Sequence, residues 1–184
     1  MNYADIKIAD VANGKGVRVS LFVSGCNHHC KGCFNPMTWD FSYGKPYTQE
    51  TEDKIITLLG EDCYQGLTLL GGEPMEPVNQ KGLLPLLRRV RQTYPHKDVW
   101  CFTGYLFDRD LLGRMVSSVP ETKELLSYID VLVDGEFVLE KKDVTLLFKG
   151  SSNQRTINVP ESLRTGDIIF WDPGHVSMSK MAKV

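Results

Sequence analysis

The sequence predicts an α/β fold with a mostly parallel sheet, arranged as a partial, open (β/α) barrel. Three observations predict it. Short apolar runs alternate with longer helical patterns, as crossover-connected parallel strands require. A glycine or polar turn follows each of the main apolar runs. And 184 residues are too few for a closed eight-unit barrel, which takes about 250.

The elements follow in chain order. Val17 to Val23 (VRVSLFV) reads as a strand ended by Ser24-Gly25. Thr48 caps a helix over 49–59, with Glu50 and Glu52 near its positive end. Leu67 to Leu70 is a short strand entering Gly71-Gly72. Pro77 suits the first turn of a helix reaching Tyr94. Asp98 to Phe102 is a strand ended by Thr103-Gly104. Helices are expected near 108–117 and 121–128, then a strand from Ile129 to Val133 stopped by Asp134-Gly135. Thr145 to Phe148 and Thr156 to Val159 read as further short strands. Residues 1–160 form the core domain, and 161–184 a C-terminal extension packed on it or trailing from it. Phe170 to His175 is expected to be a packed tail.

Composition narrows the function classes. Net charge is -2, which argues against nucleic acid as a partner. The run Arg88, Arg89, Arg91, His96 and Lys97 reads as the solvated face of a helix. The first residues lack the basic and apolar regions of a signal peptide, and no apolar run approaches a membrane span. A cytoplasmic location is expected. Three of the five cysteines crowd into Cys26-Asn27-His28-His29-Cys30-Lys31-Gly32-Cys33. A disulfide framework would use an even, dispersed set.

This C-x3-C-x2-C spacing lets three thiolates wrap one metal centre. A [4Fe-4S] cluster ordinarily takes four cysteines, so three leave one iron open to a substrate. Spacing alone also admits structural zinc, with His28, His29, Cys63 or Cys101 as fourth ligand, or three unrelated buried cysteines. Cys26, Gly71-Gly72-Glu73, Thr103-Gly104 and Asp134-Gly135 each follow a predicted strand. In parallel α/β folds the carboxyl ends of strands share one rim, where ligands bind. These residues are therefore expected to converge.

The cysteine loop after the first predicted strand, together with Gly71-Gly72-Glu73-Pro74 after the second, resembles the two signatures of the radical-SAM superfamily. Asn13 to Arg18, Leu21 to Cys26, Val99-Trp100 with Thr103-Gly104-Tyr105, Asp130 to Phe137 and Gly150-Ser151-Ser152-Asn153-Gln154-Arg155 resemble one of its families, the anaerobic ribonucleoside-triphosphate reductase activating proteins. The likeness covers residues 1–160 in order. Two departures stand out: Gly32 replaces the aromatic that often precedes the third cysteine, and the chain is shorter than the activating enzymes of pyruvate formate-lyase.

The resemblance implies a TIM-like partial barrel of the radical-SAM type. It implies a [4Fe-4S] cluster on Cys26, Cys30 and Cys33, and S-adenosylmethionine (SAM) bound to the open iron. The SAM amine would meet Gly71, Gly72, Glu73 and Pro74, while Gly32, Cys33 and Phe34 would border the adenine, Phe34 reading equally well as a core phenylalanine. In the activating enzymes of pyruvate formate-lyase the comparable positions help surround SAM and a monovalent cation, so Thr103 and Asp134 would either do so here or be turn residues that bond local backbone. Reductive cleavage would yield a 5'-deoxyadenosyl radical that takes hydrogen from a glycine of the reductase. The implied partners are that glycyl radical enzyme and a low-potential donor such as flavodoxin or ferredoxin. No side chain is expected as general acid or base. The Gly150 to Arg155 block is expected to hold the partner's glycine loop or SAM. The alternatives are an activase of another glycyl radical enzyme, such as pyruvate formate-lyase, and a zinc-stabilised binding module without catalysis.

Overall fold

The computed structural model describes residues 1–174. The strands are β1 (Asn2–Asp10), β2 (Arg18–Val23), β3 (Lys45–Pro46), β4 (Gly66–Gly71), β5 (Asp98–Phe102), β6 (Val131–Asp134) and β7 (Arg155–Asn158). The α-helices are α1 (Gln49–Leu59), α2 (Pro77–Thr93), α3 (Val116–Ser118), α4 (Glu121–Ser127) and α5 (Val159–Thr165). One open sheet has the order β3-β1-β2-β4-β5-β6-β7. Its centre, β2-β4-β5-β6, is parallel, and β1, β3 and β7 join antiparallel at the edges.

Period-two alternation sorts the strand residues between two faces. Leu21, Leu69, Cys101, Leu132 and Ile157 stand in register across five strands and are fully buried. They meet Ile55 and Leu59 of α1, Leu83, Leu86 and Leu87 of α2, and Leu125 and Leu126 of α4 in one core. The opposite face mixes Arg18, Ser20 and Thr68 with Phe22, Leu70, Trp100 and Phe102. There Trp100 packs with Val131, Val133, Phe148 and Trp171. Fully buried Arg18 closes one end of that face: it donates to Thr68 Oγ1 (2.7 Å) and Leu67 O (2.8 Å) and pairs with Asp98 (2.6 Å). Its guanidinium also lies over the Trp100 ring.

Local chemistry explains the helix starts. Thr48 accepts from the Thr51 amide, and the Thr51 hydroxyl accepts from the Thr48 amide, so two free N–H groups are satisfied together. Pro77 occupies the first turn of α2.

Four expectations are corrected. The first strand in the chain is β1, which lies between β2 and the two-residue edge strand β3 and lacks the apolar run that marks a buried strand. The helix near 108–117 opens as a π-helix over Phe107–Met115, with Leu111 N donating to Leu106 O (3.0 Å). Residues 145–148 form turns instead of a strand: Phe148 takes a φ of 57° and turns its ring onto Trp100. The basic run that begins in α2 is a solvated face only in part: Arg88 and His96 are exposed, while the others are partly or fully covered. Arg88 grips Glu124, Arg89 grips Glu52 and Asp53, Arg91 grips Asp130, and Lys97 is buried against the Glu61 and Tyr64 carbonyls. At the other end of the chain, Trp171 N donates to Thr156 O (2.9 Å) and its ring packs on Trp100 and Phe148. His175 lies outside the described residues.

Candidate iron–sulfur site

The four parallel strands end on one rim, and the turns that follow them are stitched together. Gly72 N donates to Val23 O (2.7 Å), Glu73 N to Gly25 O (2.8 Å) and Thr103 N to Val133 O (2.9 Å). Buried Asn79 of α2 donates to both Ser24 O (3.0 Å) and Glu73 O (2.9 Å), joining the cysteine loop to the Gly71-Gly72-Glu73 turn. Gly71 sits at φ 109°, and a Cβ on Gly72 would lie 2.7 Å from Gly25 O and 2.8 Å from Thr38 O. Only glycine allows the two turns this close.

A cavity of about 510 Å³ opens on this rim. Cys26, Cys30, Cys33, Phe34, Gly71, Gly72, Glu73 and Thr103 all line it, as expected from their places after strands. Gly32, Pro74 and Asp134 do not. Gly32 instead makes the loop turn at φ 75° against Leu139. Asp134 is fully buried, and its carboxylate accepts from Arg155 and from Phe107 N. Arg155 also holds Asp108 (2.8 Å), so the block from Gly150 to Arg155 binds its own chain. Gln154 accepts from Gly150 N and Ser151 N and donates to Gly135 O, which fixes the wall beside the cavity. Cys63 is exposed, Cys101 is buried in the core, and neither reaches the cavity.

Each clustered thiol meets backbone donors. The N–H groups of His28 and His29 face Cys26, that of Phe137 faces Cys30, and Asn35 N donates to Cys33 Sγ at 3.4 Å. Such donors favour thiolate and are the usual partners of cluster sulfurs. Burial acts the other way in the metal-free loop and pushes the Cys26 thiol up to about 12. Among the described residues, no three His, Cys, Asp or Glu side chains are gathered closely enough to hold a single metal ion. Three thiols met by backbone N–H groups on a cavity of about 510 Å³ fit a [4Fe-4S] group in donor type and in space.

Some partners were not legible. His28 is nearly enclosed and reaches Glu73 (3.0 Å) with one ring nitrogen and Glu136 (3.1 Å) with the other. Burial alone would lower its pKa, but these two carboxylates outweigh it and raise it to about 8. Glu76 accepts from Asn27 N (3.2 Å), Asn27 Nδ2 (3.0 Å) and Tyr105 OH (3.3 Å). Its place three residues after Glu73, on the same turn, was the available signal. Thr103 accepts from Tyr105 N (3.1 Å) while still walling the cavity. Phe34 is largely exposed, tilted against Phe137 with Lys142 above it, so it is no core phenylalanine.

The rim, the three-thiol loop and the open sheet define an iron–sulfur protein, and residues 12–157 match the family model described as a 4Fe-4S single cluster domain. The chain is 48% identical over 156 residues to a protein of Vibrio cholerae, covering 84% of this chain and 96% of the relative. It is 44% identical to one of Haemophilus influenzae and 42% to one of Escherichia coli K12, with the same coverage. All three relatives are named anaerobic ribonucleoside-triphosphate reductase-activating protein. The chain belongs to this family. No helix among the described residues is long and apolar enough to cross a membrane.

Proposed function

We propose that the chain is a cytoplasmic radical-SAM oxidoreductase that generates a glycyl radical on anaerobic ribonucleoside-triphosphate reductase. A [4Fe-4S] cluster, when bound, would supply one electron to cleave SAM into methionine and a 5'-deoxyadenosyl radical, which takes hydrogen from a glycine of the reductase. The observation that carries this reading is the set of three thiols on one cavity wall, each met by a backbone N–H.

The chain's own residues hold and orient. Cys26, Cys30 and Cys33 serve as the three protein ligands. Cys63 and Cys101 stand away from the cavity and both His28 nitrogens face carboxylates, which favours one iron without a protein ligand. The Gly71-Gly72-Glu73-Pro74 turn offers backbone carbonyls to the SAM amine. Glu73 contributes less directly, since Met75 N, Gly104 N and His28 already donate to its carboxylate. The exposed ring of Phe34, beside Gly32 and Cys33, receives the adenine, and Thr103 closes the wall opposite. Arg155 takes the place beside Asp134 that the resemblance gives to a monovalent cation. The four parallel strands act as a partial TIM-like barrel whose open side admits a protein loop. Flavodoxin or ferredoxin is the class of electron donor.

The test is to mix the reduced, iron-loaded chain with SAM and the reductase without oxygen, and to record electron paramagnetic resonance. A glycyl radical doublet is expected. Radical formation only on pyruvate formate-lyase would redirect the reading to another activase. A colourless, zinc-replete chain from an anaerobic preparation would end it.

A further inference from the structure

The cysteine loop has little regular structure of its own. Its internal support is the Cys33 N to Cys30 O turn (3.1 Å) and the His28 and His29 N–H groups that face Cys26, and His29 sits at φ 51°, a conformation that non-glycine residues rarely hold without outside support. What holds it comes from neighbouring turns. His28 Nε2 lies 3.0 Å from Glu73 Oε2, in the turn after β4. His28 Nδ1 lies 3.1 Å from Glu136 Oε1, after β6. The ring stands edge-on to Tyr105 at 4.5 Å and rests on Gly104, after β5, where any Cβ would come within 2.6 Å of it. Gly104 N donates to the same Glu73 oxygen (2.7 Å). One imidazole thus touches the turns after three strands while standing between the first two cysteines.

We propose that His28 is a positioning residue that locks the cysteine loop to the turns after β4, β5 and β6, and so sets the distance between the thiols and the Gly71-Gly72-Glu73 turn. This deepens the reading above and rests on it: a ligand that spans from an iron on the loop to the glycine turn binds well only when both ends are held in register. A displacement of about 1 Å is enough to lose much of such an interaction. His28 lines the cavity, but both its ring nitrogens face carboxylates, so it offers no free donor there. It acts through Glu73 and Glu136, as outer-shell partners of metal sites do.

The experiment compares wild type, His28→Ala, His28→Gln and Glu136→Ala. Iron per chain and thermal midpoint are recorded first. SAM affinity is then measured on the iron-loaded proteins, and amide hydrogen exchange over residues 26–33 on the iron-free chains. His28→Ala is expected to keep its iron, to bind SAM about tenfold more weakly, and to exchange faster in the loop alone. His28→Gln keeps one of the two links and falls between. Glu136 is 56% exposed, so Glu136→Ala folds normally and is expected to cost about threefold in SAM affinity. Unchanged SAM affinity in His28→Ala, or in Glu136→Ala where the former does not fold, overturns the proposal. Loss of iron from His28→Ala also overturns it, because it would make His28 part of holding the cluster. A wild type that binds neither iron nor SAM would sink the functional reading; faster loop exchange in the iron-free His28→Ala chain would still support the lock, and unchanged exchange would refute it.

Discussion

Arg155 holds both carboxylate oxygens of fully buried Asp134, and the same guanidinium reaches Asp108 at the surface. The strand β7 is thereby fastened to the end of β6, next to the Gly135 wall of the cavity. Removing one partner of a buried pair leaves the other charge uncompensated, which costs about 3 kcal/mol or more. Arg155→Ala is expected to lower stability by that order in denaturant unfolding. A double variant, Arg155→Met with Asp134→Asn, should recover part of the loss; no recovery would mean the pair is not coupled.

Acid should weaken the outer half of this contact. The Arg155 hydrogen bond holds the Asp108 carboxyl below its ordinary value of 3.8, ahead of the small opposing effect of burial. A carboxyl lowered in the folded state stabilises the fold above its unfolded pKa. That contribution is lost as pH falls through 3.8 toward the lower folded value. Thermal midpoints of the iron-free chain between about pH 5 and pH 3 should fall less steeply for Asp108→Asn than for wild type. Asp108 is half exposed, so the difference will be small.

The cysteines separate cleanly by environment. Cys26→Ser, Cys30→Ser and Cys33→Ser are each expected to abolish SAM cleavage and to lower iron per chain after anaerobic reconstitution. Retained cleavage in any one would remove it from the ligand set. Cys63→Ser, at the surface, should leave iron and activity unchanged. Cys101→Ala should also keep its iron, but it empties a buried core position and should cost about 1 kcal/mol.

Close approach of the two glycine-bearing turns makes a further demand. Gly72→Ala would drive a methyl into the Gly25 and Thr38 carbonyls, both backbone, and Gly71→Ala would add a positive-φ strain beside Val23. Overpacking of this kind costs about 1–3 kcal/mol. Each variant should melt several degrees lower, and weaker SAM binding should accompany it. A wild-type melting curve for Gly72→Ala would show that the turns do not need to touch.

Much of this was written in local patterns. The strands β2, β4, β5 and β6 and the helices α1 and α2 were legible, because apolar alternation and caps such as Thr48 are properties of neighbouring residues. The convergence of Cys26, Gly71-Gly72-Glu73 and Thr103 followed from their places after parallel strands. β1 escaped notice because, flanked on its outer side only by the two-residue β3, it buries little and needs no apolar run. The segment 145–148, β-branched and apolar enough for a strand, was claimed by the aromatic cluster of Trp100, Phe148 and Trp171. Asp134 and Arg155, both suited by type to a ligand, were drawn to each other across the β6–β7 pair.

From its residues alone, this chain specifies a three-cysteine loop suited to a metal centre on an α/β scaffold, since ligand spacing, strand period and turn glycines act over a few residues; the iron–sulfur reading of that loop came from the family resemblance. Which polar groups spend themselves on one another, and which stay free for a substrate, was settled by folding. His28, which spacing left as a possible fourth ligand to zinc, instead bridges Glu73 and Glu136. Partnership between groups dozens of residues apart depends on distances in space, and no local pattern encodes those.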